Sequence, residues 1–328
     1  MVLVLAASLI SYKSASGLRT LEGVRASGTL SARADVVPLH AVRSDVGSFR
    51  RSINYFGVVW PALLFGILIS GAVRAGVSPD WLVGVLSRRP AGAQFAAGLA
   101  GAPLMLCSCC VAPIFSAAYE RSRRLGPSLA LMFAAPALNP AALMLTFMLF
   151  PMPLAWGRLL LGVTAVFFAT ALMSRLLQAL PVDPQQVHGV PPQSTGGLSF
   201  LTAFLQSCLH VTVRTVPPIL VGIATAMLIA DWLPLGAFAS SASRVGTIAL
   251  IAFLAVPVAL PTFFEIPIGL TLLAGGAPAG AALAVLFAGP VINLPSLLTV
   301  ARSAGWKVAA AAAAAVWLLA FVGGLFVG

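Results

Sequence analysis

The chain has 328 residues, of which 60% are apolar and only 8% charged. Soluble domains carry about 25% charged residues, so this chain has too few charges to coat a soluble surface of its size. Four cysteines cannot staple so long a chain as a secreted disulfide scaffold, and the hydrophobicity excludes intrinsic disorder. What remains is an all-α polytopic membrane protein. The 19 Lys and Arg against 8 Asp and Glu give a formal net charge of +11. The cations gather in the N-terminal stretch and in short connections, as at Arg50, Arg51, Arg88, Arg89, Arg121, Arg123, Arg124 and Arg175. That placement suits anionic lipid head groups and the positive-inside bias. Nucleic acid is not expected as a partner, because the basic runs lack interleaved aromatic residues.

In chain order, residues 1–52 read as a tail. Residues 1–10 are apolar but only about half a membrane span long, and no basic region precedes them as in a signal peptide. Residues 13–51, rich in Ser and Arg, read as a flexible cytoplasmic stretch. A first membrane repeat follows at 53–177, with apolar segments at 53–73, 91–118, 127–150 and 155–173; the second of these is interrupted by Pro103 and Pro113. Residues 178–200 are a hydrophilic linker rich in Pro and Gly. A second repeat occupies 201–328, with apolar segments at 211–230, 245–274, 280–300 and 308–327. About eight spans result, with 91–118 and 245–274 open to being re-entrant hairpins instead.

The two halves resemble each other. Pro103 and Pro257 are 154 residues apart (257 − 103), and the same spacing relates 103–143 to 257–297 without a gap. Along it, 12 of 41 positions are identical, including Pro113/Pro267, Gly126/Gly280, Phe133/Phe287, Pro136/Pro290 and Asn139/Asn293. Chance in so biased a composition would give roughly one in ten. Pro103, Pro113 and Pro136 in one half, and Pro257, Pro261, Pro267 and Pro290 in the other, are expected to break helices. Lipid cannot satisfy the carbonyls so released, and the breaks must therefore face protein or a wet cavity. Matching breaks in duplicated halves point to a transporter's binding site.

Within the first break lies Cys107-Ser108-Cys109-Cys110. Thiolates are soft ligands for thiophilic metals and metalloids, a broken helix end raises thiol reactivity, and closely spaced thiols can form or exchange disulfides. No permanent metal site is expected: only three His exist, and His40 and His188 fall in soluble segments. Cys107, Cys109 and Cys110 are transient soft-ion ligands at most. No cofactor is expected. In the matching stretch of the second half, Glu265 is the only acid in the apolar core of either repeat. No intramembrane Lys or Arg stands out as its partner, so it reads as a proton-coupling group. Asn139 and Asn293 either bond the backbone exposed by the nearby prolines or line a substrate path. Ser108 and Thr262 occupy paired positions and supply hydroxyls. Cys208 and His210, just ahead of the segment at 211, read as structural.

Pro103-x3-Cys107-Ser108-Cys109-Cys110-x2-Pro113, then Gly126 and Phe133-x2-Pro136-x2-Asn139, with Phe287-x2-Pro290-x2-Asn293 in the second half, resembles the bacterial permease family that includes the organoarsenical efflux permeases. The resemblance covers about residues 53–327. It implies a permease, not an enzyme, that exports a trivalent organoarsenical or a related thiol-reactive solute. Members commonly carry Gly where Cys110 stands, so this chain adds a thiol. The leading expectation is a multi-pass permease of the bacterial inner membrane, coupled to protons through Glu265. Its small-molecule or metalloid cargo would be held by Cys107, Ser108, Cys109, Cys110, Asn139, Thr262 and Asn293. The lipid bilayer is its other partner, and homo-oligomerisation stays open. Two rivals are a membrane thiol–disulfide oxidoreductase using Cys107 to Cys110, and a passive channel.

Overall fold

A chain immersed in hydrocarbon has to satisfy its backbone hydrogen bonds internally, and helices do so within one segment. The computed structural model describes residues 2–27, 48–76, 90–177, 197–232, 243–258, 260, 263–274 and 276–327, and among them every regular element is helical. In chain order these are α1 (Val2–Ser27), α2 (Ser48–Gly76), α3 (Pro90–Gly101), α4 (Ser108–Ser122), α5 (Leu125–Ala137), α6 (Pro140–Leu149), α7 (Met152–Leu177), α8 (Gly197–Trp232), α9 (Arg244–Ala255), α10 (Glu265–Ala274), α11 (Ala279–Val291), α12 (Leu294–Ala304) and α13 (Trp306–Val327).

The centre is built from α5 and α11. Both are apolar all round, a pattern that only a fully enclosed helix tolerates. All but two residues of α5 and all but one of α11 are buried. They touch each other and are wrapped by α3, α4 and α7 on one side and by α7, α9, α10 and α13 on the other. Close approach depends on small residues: a Cβ on Gly280 of α11 would overlap the Gly324 carbonyl of α13. On α7, Trp156, Leu160, Phe168, Leu172 and Leu176 expose one stripe at helical spacing, while Arg158 and Thr170 lie buried on the other faces. Such a stripe fits lipid on one side and protein on the other. Among the described residues, α7 and α13 are each long and apolar enough to cross a membrane, and four spans result if each bent pair counts as one.

Those bent pairs are the main departure from straight spans. Residues 127–150, expected as one clean segment, divide into α5 and α6 with a bend of 41°, and α11 and α12 meet at 46°. The cause is local. Pro136 and Pro290 occupy the last turns of α5 and α11, each helix ends one residue later, and an Asn then opens the next helix. Asn139 Oδ1 accepts from the amides of Ala141 and Ala142 at 3.1 and 3.3 Å. Asn293 Oδ1 accepts from Ser296 N at 3.1 Å while Ser296 Oγ accepts from Asn293 N at 3.0 Å, completing a capping box. Each cap contributes on the order of 0.5–2 kcal/mol to a helix start that lipid would leave unsatisfied. α5 and α11 start and stop at the same 154-residue spacing found in the sequence.

The other breaks follow the prolines only in part. After α3, Pro103 sits in a 3₁₀ turn (Ala102–Leu104), Met105 takes a left-handed φ of 51°, and α4 begins at Ser108. After α9, Pro257 lies in a turn, Phe263 has φ 78°, and α10 begins at Glu265. Pro113, expected to break its segment, instead stays inside α4, and Pro267 is the third residue of α10, where a missing N–H costs no intrahelical bond. Pro261 and Thr262 lie outside the described residues, as do 178–196 of the linker. Cys208 and His210 do not precede a span but sit within α8, which is much longer than 211–230. Within the stretch 13–51, expected to be flexible, α1 extends to Ser27 and α2 already starts at Ser48.

Replacing Gly280 by Val is expected to destabilise the protein by about 1–3 kcal/mol through overpacking against α13. Gly57→Ala, in open space on α2, is expected to raise stability by about 0.5–1 kcal/mol. Thermal unfolding of both variants in the same detergent checks the pair.

Candidate transport site

The break between α3 and α4 turns three sulfurs toward one another. Cys107 is the N-cap of α4, in extended conformation, and its carbonyl accepts from the amides of Cys110 and Val111 at 3.0 and 3.1 Å. This first turn brings Cys107 Sγ within 2.8 Å of Cys110 Sγ and 3.1 Å of Cys109 Sγ, with 3.9 Å between the last two. All three thiols are buried and reduced. α2 closes over them: Gly66 lies against the Cys110 carbonyl, and the buried Tyr55 hydroxyl faces the sulfurs. Ser108 Oγ is buried without a partner.

Across from this turn, α10 starts at Glu265, 1% exposed. Its Oε1 accepts from Arg158 Nη2 at 2.7 Å, and Arg158, also 1% exposed, donates through Nη1 to Thr146 Oγ1 at 2.6 Å. Contrary to the expectation that Glu265 lacks an intramembrane partner, a cation inside the segment 155–173 pairs with it. The charge was visible in the sequence, but a separation of 107 residues hid the pairing. Thr146 was missed for the same reason. Enclosing this pair in a low-dielectric interior is costly unless the geometry is good, and Glu265 Oε2 and Arg158 Nε are left without partners.

A small cavity joins the two features. Leu106, Cys107, Pro136 and Asn139 line it from the first half, with Leu260, Glu265 and Pro290 from the second. Leu106/Leu260 and Pro136/Pro290 are partners at the 154-residue spacing, so the cavity sits where equivalent backbone breaks meet. About 10 Å³ is open to the centre of a water molecule, on the order of what one water needs. The structure thus gathers Cys107, Asn139 and Glu265 around one space, with Cys109 and Cys110 held beside Cys107. Asn293 caps α12 with its Nδ2 unpartnered and does not line the cavity.

Helix ends from two halves, converging on a buried space that holds an ionisable group, are the architecture of a membrane transporter. A family model described as a predicted permease, ArsP_1, matches residues 51–328. The chain belongs to this family of membrane permeases. It is 28% identical over 256 residues to the UPF0718 protein YraQ of Escherichia coli (strain K12), a match covering 76% of this chain and 71% of that protein. It is also 30% identical over 90 residues to the UPF0718 protein MJ0584 of Methanocaldococcus jannaschii, covering 27% of this chain and 25% of that protein. No solved structure matches the chain.

Removing one member of the buried ion pair leaves the other uncompensated. Arg158→Met alone is expected to cost about 3–5 kcal/mol, and Arg158→Met with Glu265→Leu much less. Unfolding temperatures of the two single variants and the double variant, combined as a double-mutant cycle, check this.

Proposed function

We propose that the protein is a secondary permease that exports a soft, thiol-reactive solute, with trivalent organoarsenicals and related metalloid species as the cargo class. The observation that carries this reading is the placement of three thiols, all within 4.8 Å of one another, at the edge of a cavity that also holds a carboxylate. Sulfur donors so disposed suit a thiophilic centre and offer little to hard cations. The family resemblance supports the same cargo class, and the extra thiol of Cys110 gives the site one more donor. We place the protein in the bacterial inner membrane as a multi-pass chain whose two halves arose by duplication.

Proton coupling resides in Glu265. Arg158 anchors one carboxylate oxygen and leaves Oε2, buried and without a hydrogen-bond partner, as the place for a proton. Among the described residues, α6 and α11 carry no ionisable side chain. A proton on Oε2 weakens the pair, and the pair is a join between the halves, since Arg158 belongs to α7 and Glu265 to α10. Loosening and re-forming this join provides two discrete arrangements that a proton and a cargo can bias in opposite directions.

In everted vesicles, replacing Cys107, Cys109 and Cys110 together by Ser is expected to abolish accumulation of methylated arsenite while leaving insertion intact; unchanged accumulation removes the thiols from the reading. Glu265→Gln is expected to flatten the pH dependence of transport, and an unaltered profile argues against coupling through this residue. Thiol turnover by the purified protein without solute movement would replace the permease by an oxidoreductase.

A further inference from the structure

Cys107 and Cys110 stand in a Cys-x-x-Cys arrangement whose first member caps a helix and whose second lies in its first turn. Their sulfurs are 2.8 Å apart, against 2.03–2.05 Å in a disulfide, so closure requires a movement of only about 0.8 Å. The backbone bonds from Cys110 N and Val111 N to the Cys107 carbonyl already hold the turn that a bridge would span. Other pairings fit less well. Cys109 and Cys110 are adjacent and 3.9 Å apart, and a bridge between neighbours in a helical turn distorts the peptide joining them. The Cys107 and Cys109 sulfurs are 3.1 Å apart, farther than the 2.8 Å between Cys107 and Cys110. Cys107 alone of the three lines the cavity, while Cys110 is fully buried beside it. That division matches an attacking thiol and a resolving one.

We propose that Cys107 and Cys110 form a peroxide-reactive dithiol whose disulfide disables the sulfur cluster. The size of the cavity selects the oxidant: a space for about one water admits hydrogen peroxide far more readily than a bulky disulfide. The Cys107 sulfur attacks one peroxide oxygen, an S–O bond forms, the O–O bond breaks, and the departing hydroxide leaves as water with the thiol proton. The Cys110 sulfur then attacks the Cys107 sulfenic acid, the S–S bond forms, the S–O bond breaks, and a second water carries off the Cys110 proton. Peroxide gains two electrons and the dithiol loses two. With two of three donors tied to each other, a soft cargo keeps only Cys109, and transport stops until a reductant reopens the bridge. The effect on transport rests on the function proposed above; the disulfide itself does not.

The test treats full-length protein in detergent with hydrogen peroxide, then denatures it and counts the thiols open to a maleimide mass tag. Wild type is expected to fall from four to two, with peptide mapping joining Cys107 to Cys110, and Cys109→Ser from three to one. Cys110→Ser is expected to form no disulfide and to yield a Cys107 sulfenic acid that dimedone captures. Four thiols surviving in the wild type overturn the proposal, as does a Cys107–Cys109 bridge forming in Cys110→Ser at the wild-type rate. The wild-type count and mapping decide even if a variant fails to fold, and they need no cargo. In vesicles, peroxide is expected to lower wild-type transport at least tenfold and dithiothreitol to restore it. Loss of transport with all four thiols intact overturns the link between bridge and function.

Discussion

A helix interrupted inside a hydrocarbon layer exposes amides and carbonyls that no lipid can satisfy. Most of the unusual features of this protein are answers to that constraint. Pro136 and Pro290 end the two most enclosed helices, and in each case an asparagine three residues later takes over the amides of the next helix start. The remaining breaks, at Met105–Cys107 and around Phe263, open α4 and α10, each with its N-terminus turned toward the same small space. Helix starts carry a positive partial charge, so the residues placed there, a sulfur cluster in one half and a carboxylate in the other, are well matched to their positions.

The ion pair of Arg158 and Glu265 gives the site its second property. Two charges in so enclosed a position are weak contributors to stability but strong determinants of arrangement, because either one alone is intolerable. Their contact crosses from α7 to α10 and also takes in Thr146 at the end of α6. The polar centre is therefore a meeting place of both halves, whereas the sulfurs belong to one half only.

Much of this was legible in the sequence because breaks and caps are local. α5 and α11 have their bounds at the 154-residue spacing read from the sequence, and the cluster of thiols between prolines marked the first break. Two kinds of information were hidden. Whether a proline breaks a helix depends on its position within the turn: Pro267 falls where no donor is needed, and Pro113 is carried inside α4, so identical residues in matching places act differently from Pro103 and Pro257. Long-range pairing was hidden as well. Nothing near Arg158 announces a carboxylate 107 residues further on, and nothing near Tyr55 announces that α2 will lid the sulfurs.

That separation has a consequence for how the chain is made. A ribosome adding about 5–20 residues per second passes Arg158 roughly 5–20 seconds before it reaches Glu265. During that interval a bare guanidinium waits in a nascent bundle with nothing to neutralise it, so the opening half cannot settle until its sister arrives. The first half thus depends on the second for its own completion, because the carboxylate that neutralises Arg158 is the last member of the polar centre to be synthesised.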